Sequence, residues 1–189
     1  MKIHLLPASN SGSRKHFVDT IKNRVPTQVI KKHLNNKSIT SILTLKSYPC
    51  WGVTNGGRDK NKNQWLQMNP GDIGLFYKNN KFFSSGVVVS KFKNKTFSKF
   101  LWREKFNKKL NKLETWENMF LLDDIKDLDI RIEDFNDLMG YKKGNKIFAY
   151  RVLDEVISEI ILEEFDLKTS KKYTKKTKPI SEKEKTKRT

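Results

Sequence analysis

Two tryptophans, Trp51 and Trp65, stand on either side of a polar loop that holds Asn55, Gly56, Gly57, Arg58, Lys60, Asn61, Lys62 and Asn63, with Tyr48 just before it. Indole faces can hold an isolated nucleobase at about 1–3 kcal/mol per stacked base, while amides read its edge and cationic side chains hold the phosphates. Tryptophan suits this task because its large rigid face gives up little side-chain entropy and favours electron-poor or methylated rings. The chemistry offered is recognition of a base. The same indoles also fit a second reading, as core residues beneath a loop, since buried tryptophan is common.

Other reactive side chains have mainly structural readings. Asp72 after Gly71 suits a turn cap at the entry to a hairpin. His16 with Thr20 four residues on could touch backbone or phosphate, or be a structural histidine. Cys50 beside Trp51 has no visible partner base and reads as a small buried hydrophobe. The run Asp123, Asp124, Asp127, Asp129 lacks the acid-and-lysine grouping of a metal-dependent nuclease, and suits a solvated strand end or a protein contact. One cysteine and three histidines rule out an intramolecular disulfide and argue against a Cys/His zinc site. No GxxxxGK[ST] phosphate loop occurs. No metal and no cofactor are expected, and a small nuclease is the least favoured function.

The 189 residues carry a formal charge of +18, which points to an anionic partner. Residues 1–113 hold 23 Lys and Arg against 4 Asp and Glu, a net +19; residues 114–167 carry −9 and residues 168–189 carry +8. Such segregation places the anion-binding face in the first 113 residues. Residues 168–189, with only Tyr173 and Ile180 as large apolar side chains, read as a disordered lysine-rich tail or a linker to a further domain, leaving residues 1–167 as the folded domain. No window approaches the roughly 18–20 apolar residues of a membrane span, and the first residues lack a signal-peptide core, so no membrane partner is expected and the placement is cytoplasmic.

The elements that must position these residues follow from periodicity. Residues 2–6 read as a strand closed by Pro7; Phe17, Ile21 and Val25 define a helix over about 13–24; a second helix falls near 27–34. Residues 39–45 read as a strand broken by 48–52. Ile73–Tyr77 and Phe82–Ser90 form the clearest hairpin, turning at 78–81. Residues 101–106 have no clear period, 116–122 read as a strand, 132–139 as a helix ended by Gly140, and 146–152 as a strand. Val156, Ile160 and Ile161 opposite Glu155, Glu159 and Glu163 make a final amphipathic helix. Strands outnumber helices, and the helices flank them: an α+β barrel-like domain rather than a βαβ repeat.

The ordered set Trp51-Gly52-Val53, Trp65-x-x-Met68-x-Pro70-Gly71-Asp72-x-x-Leu75-Phe76-Tyr77 and Phe82-Phe83-x-x-Gly86-x-Val88 resembles the EVE and YTH branch of the PUA-like superfamily. Leu5-Leu6-Pro7-Ala8, Arg14-x-His16-Phe17-x-x-Thr20-Ile21, Leu101-Trp102, Thr115-Trp116-Glu117-x-Met119-Phe120-Leu121 and Leu138-Met139-Gly140-Tyr141 extend the resemblance, over residues 3–165, to the N-terminal specificity domains of McrB-type modification-dependent restriction proteins. The resemblance implies a PUA-like twisted β-barrel with flanking helices. It further implies a non-catalytic reader that flips a methylated base of double-stranded DNA into an aromatic cage, with an AAA+ GTPase or ATPase motor and a nuclease in another domain or subunit. Trp51 and Trp65 would be cage walls, Tyr48 a further cage residue, Trp102 a core residue or a cage rim, and Lys46, Ser47 and Asn55 base-edge or backbone contacts. Arg58, Lys60, Lys62, Lys91, Lys93 and Lys95 are the candidate phosphate contacts. Trp116 is expected in the core. An RNA-binding PUA-like module is the alternative.

Overall fold

A computed structural model describes residues 1–168. The lysine-rich segment expected to be a tail or linker lies, from residue 169 on, outside the described residues. In chain order the elements are β1 (Ile3–Pro7), α1 (Ser11–His16, continued by a π-helical turn over Phe17–Lys22), β2 (Val25–Pro26), α2 (Thr27–His33), α3 (Lys37–Thr40), β3 (Ser47–Tyr48) and β4 (Cys50–Val53). After them come α4 (Lys60–Trp65), β5 (Ile73–Lys78), β6 (Lys81–Lys93), α5 (Lys95–Trp102), β7 (Lys105–Asn107) and β8 (Lys112–Glu114). The last four are β9 (Asn118–Arg131), α6 (Ile132–Leu138), β10 (Arg151–Val152) and α7 (Glu155–Glu164).

Six strands form one sheet in the order β10-β1-β5-β6-β9-β4. Only β1 and β5 run parallel; the other pairs are antiparallel. The β6–β9 ladder carries three register shifts and β5–β6 one. Each such bulge adds local twist and bends the strand, so the sheet curls into a half-barrel with helices around it. This is the α+β architecture expected.

Strand alternation assigns the core. On β1, Ile3 and Leu5 enter one cluster with Leu75, Phe82, Phe135 and Ile161, while Leu6, and Ala8 just past the strand, enter another with Phe17, Trp51, Phe76 and Tyr150. On β9, Phe120 and Leu122 join the second cluster; Met119 and Leu121 face a third, with Tyr48, Cys50 and Phe97. The β5–β6 hairpin turns through Asn79 and Asn80, both left-handed at φ 51° and 60°, the two-residue turn whose twist matches that of the flanking strands.

Several expectations are corrected. Residues 39–45 are not a strand: Asn36 caps α3 by accepting the Ile39 N–H at 3.2 Å, and the N–H groups of Thr44 and Leu45 donate to the Tyr48 hydroxyl. A local cap and one tertiary acceptor override β-branched composition here. Residues 50–53, read as a break, form the edge strand β4. Helix α5, capped by Asn94 on the Phe97 N–H, takes in only the first two residues of the stretch 101–106 that has no clear period. The expected strand at 146–152 shrinks to Arg151–Val152. In α7 the buried face is Ser158, Ile161 and Leu162, whereas Val156 is 74% exposed and Ile160 is exposed as well.

Candidate nucleic-acid interface

The half-barrel leaves a seam between its edge strands β4 and β10, and α4 packs against both. Gln64 Oε1 accepts the Val152 N–H of β10 at 2.7 Å, and the Trp65 indole N–H donates to the Met119 carbonyl of β9 at 3.2 Å. In the seam lies a cavity of about 240 Å³ with four aromatic side chains in its wall: Trp51, Trp116, Phe148 and Tyr150. Its polar lining includes Asn10, Ser13, Thr54 and Asn61. Concave, mostly apolar sites with a few polar groups are the usual form of a small-ligand pocket, and this one is smaller than the ~300–1,000 Å³ typical of drug-sized ligands. Its size suits a single base. A larger depression of about 410 Å³, between α2 and α3, is an open groove lined by Lys31, Leu34, Lys37 and Thr40 among others, with no aromatic side chain.

Rigid packing sets the aromatic walls. Trp51 on β4, 2% exposed, meets Trp116 edge to face at 4.9 Å, Phe76 at 5.1 Å and Phe17 at 6.2 Å. Trp116 in turn meets His16 at 4.7 Å. Gly52 permits this approach, since a Cβ there would collide with the Trp116 carbonyl and crowd the Trp102 ring. Phe148 differs from its neighbours: it is 83% exposed at the cavity edge.

Behind Tyr150 runs a buried polar chain. The Tyr150 hydroxyl lies 2.8 Å from His4 Nδ1, and His4 Nε2 lies 3.2 Å from Asp72 Oδ2. Asp72 also accepts the N–H groups of Lys2 at 2.9 Å and Asn69 at 2.8 Å. Burial pushes the Asp72 carboxyl up, but the bonds from His4, Lys2 and Asn69 outweigh it and hold the group below its ordinary value. Burial lowers His4 despite the Asp72 charge, and raises Tyr150. The chain is therefore carboxylate, neutral imidazole, neutral phenol.

The sequence-predicted residues divide. Trp51 lines the cavity. Trp65 does not stand across from it: its ring is buried beneath α4, its N–H is bonded to Met119, and Lys91 Nζ lies over it at 5.2 Å. Tyr48 is buried in the third cluster, holding residues 44 and 45 through its hydroxyl. Trp102 is buried beside Trp116 at 5.7 Å and does not line the cavity; its indole N–H and Nδ1 of His16 are buried with no hydrogen-bond partner among the described residues. Trp116, expected in the core, is half-buried and forms part of the cavity wall.

Asn55 ties the loop to the sheet: its Nδ2 donates to Glu117 at 3.0 Å, its Oδ1 accepts from Asn118 at 2.9 Å, and its carbonyl accepts the N–H groups of Asn61 and Lys62. The Lys46 and Ser47 carbonyls accept from Thr27 and Arg24. Neither residue lines the cavity.

Among the phosphate candidates, Lys91 is spent internally, donating to the Trp65 and Leu66 carbonyls at 3.2 and 2.5 Å. Burial lowers its pKa, with Asp72 opposing. Lys62 pairs with Asp59, Lys93 with Glu117 and Lys95 with Glu104. Arg58 is exposed in the left-handed region at φ 50°. Lys60 lines a second cavity of about 200 Å³ that shares Phe148, Ala149 and Tyr150 with the first and is joined there by Lys146 and Arg151. Sequence reasoning missed these two cations because they sit in the acidic third of the chain. It also missed Phe148 and Tyr150, since the run 146–152 reads as an ordinary strand. The acidic run lies along β9, where Asp123 and Asp127 pair in register with Val87 and Ser84. Among the described residues, no group of three or more His, Cys, Asp or Glu is placed to hold a metal ion.

The solved N-terminal domain of Thermococcus gammatolerans McrB, bound to m5C DNA, superposes on the chain with a TM-score of 0.64, covering 88% of this chain and 98% of that one at 13% identity. The chain has the fold of that McrB domain. Sequence comparison finds no matching protein-family model and no matching curated protein. At this identity the McrB-type likeness is one of backbone architecture. The McrB-type resemblance expected from the ordered motifs agrees with this likeness of fold. No helix among the described residues is long and apolar enough to cross a membrane.

Proposed function

We propose that the chain binds duplex DNA carrying a methylated base and takes that base, flipped out of the stack, into the cavity of Trp51, Trp116, Phe148 and Tyr150. The observation that carries the reading is this aromatic cavity, one base in size, set in a fold shared with a domain solved on m5C DNA. Flipping costs a few kcal/mol, which stacking in the cavity and phosphate contacts offset. Lys60, Lys146 and Arg151, beside the cavity's Phe148–Tyr150 wall, are the first candidates for the phosphates flanking the flipped nucleotide. Phe148, exposed at the edge, is placed to cover the bound base or to fill the gap it leaves, as apolar wedges do in other DNA-bending proteins. The domain acts as the specificity module of a modification-dependent restriction system, with an AAA+ motor and nuclease supplied by another domain or subunit.

The test is a binding panel of otherwise identical duplexes, unmodified or carrying 5-methylcytosine, N6-methyladenine or 4-methylcytosine, at two salt concentrations with single-stranded RNA as competitor. Preference for one modified duplex that survives added salt and RNA is the expected result. Equal binding to all duplexes, or displacement by RNA at lower concentration than by DNA, rejects the reading. Phe148→Ala should leave the melting temperature unchanged, because the side chain is exposed, and reduce the preference for methylated DNA about tenfold or more.

A further inference from the structure

A cavity that accepts a methylated pyrimidine faces a problem of chemistry. Thymine presents the same C5-methyl group as 5-methylcytosine and is abundant in every duplex. The two differ at the edge, where cytosine carries an N4 amino donor and thymine an O4 acceptor. Apolar walls that hold the methyl group cannot tell them apart. A fixed hydrogen-bond acceptor can, because it pairs with the amino group and opposes the carbonyl.

Tyr150 lines the cavity, and the chain behind it settles what its hydroxyl offers. Asp72 takes two backbone N–H groups and sits 3.2 Å from His4 Nε2; a carboxylate in that position only accepts, so Nε2 carries the hydrogen. The second ring nitrogen, Nδ1, is then bare and accepts the Tyr150 O–H at 2.8 Å. That hydroxyl has one hydrogen, and it is committed to His4. The hydroxyl therefore has lone pairs, and no hydrogen, left for a partner other than His4.

We infer that Tyr150, held in this state by His4 and Asp72, is a specificity residue that selects a base bearing an exocyclic amino group, as in 5-methylcytosine, and rejects thymine. The inference rests on the methylated-DNA reading above and deepens it. His4 and Asp72 are positioning residues, since they act through Tyr150.

The experiment is a cycle in protein and ligand. Three duplexes of one sequence carry, opposite the same guanine, 5-methylcytosine, thymine, or 5-methyl-2-pyrimidinone, which keeps the methyl group and lacks the amino group. Each is titrated against the full chain and its Tyr150→Phe variant, with unmodified cytosine as reference. The wild type is expected to bind the 5-methylcytosine duplex at least about tenfold tighter than the other two, and Tyr150→Phe to bind all three within about twofold. The ligand arm is independent of whether the variant folds well: equal wild-type affinity for 5-methylcytosine and 5-methyl-2-pyrimidinone overturns the inference. So does full discrimination retained by Tyr150→Phe. In both cases a preserved preference for 5-methylcytosine over cytosine leaves the methylated-DNA reading standing. Loss of that preference in the wild type removes both.

Discussion

The two tryptophans first noted do different work, and the difference is measurable. Trp51 faces the cavity, but it is also buried against Phe17, Phe76 and Trp116, so Trp51→Ala should cost about 3–5 kcal/mol of stability as well as binding. Trp65 is a pin between α4 and β9. Trp65→Phe should lower stability by about 1 kcal/mol through loss of its bond to Met119, leaving the methylated-to-unmodified ratio unchanged; denaturant titration beside the binding panel checks both. At His4, burial holds the pKa below the ordinary 6.5. The unfolded chain therefore takes up a proton near that pH which the folded chain refuses. Stability is full above pH 6.5 and declines as pH falls through it. His16, also lowered by burial, adds to the slope in the same direction. Urea midpoints should fall from pH 7 to pH 5 in the wild type. His4→Asn should start lower at pH 7 and fall less steeply. Asp72, held below 3.8, acts in the same sense at lower pH, its contribution being lost as pH falls through its depressed pKa.

At the scale of elements, the site depends on how closely β4 approaches the segment before β9. Gly52 sits where a methyl group would strike the Trp116 carbonyl, and backbone cannot yield as a flexible side chain would. Gly52→Ala should destabilise the fold by about 1–3 kcal/mol and displace Trp116, weakening methylated-DNA binding more than background binding; tryptophan fluorescence and the duplex panel together read this. The β7–β8 hairpin leads into Trp116 and carries Lys105, Lys108, Lys109 and Lys112 with exposed Phe106 and Leu113. Lys105 is close enough to lower the His16 pKa. A basic hairpin beside the aromatic cavity suits phosphate contact. Lys108→Glu with Lys109→Glu should weaken methylated and unmodified duplex by the same factor, measurable as parallel shifts of both isotherms.

For the molecule as a whole, the proposed function assigns affinity to charge and choice to the cavity. Removing one cation that holds a phosphate should reduce the slope of log K against log salt by about 0.9. Replacing Lys60, Lys146 and Arg151 by Ala together should flatten that slope by up to about 2.7 and leave the methylated-to-unmodified ratio at fixed salt nearly unchanged. The charge segregation read along the chain is only partly a segregation in space. The cavity draws on both halves: Trp51, Thr54 and Asn61 come from the basic part, and Trp116, Phe148 and Tyr150 come from the part with net charge −9.

The sequence by itself determined the class of the fold and pointed to an anionic partner. Period-two runs at 73–77 and 82–90, the helices at 13–24 and 132–139, and an excess of cations around aromatic residues are local signals, and short-range sterics and composition decide them. It did not decide which aromatics meet. Trp51 and Trp65 are close in sequence, yet α4 turns Trp65 into the core, while Trp116, Phe148 and Tyr150 reach the cavity from 65 to 99 positions away through the β4–β9 and β1–β10 pairings. The bond chain from Asp72 through His4 to Tyr150 joins residues 146 positions apart. Such contacts depend on sheet order and curl, which are set by the packing of the whole core and carry no mark in the residues they join.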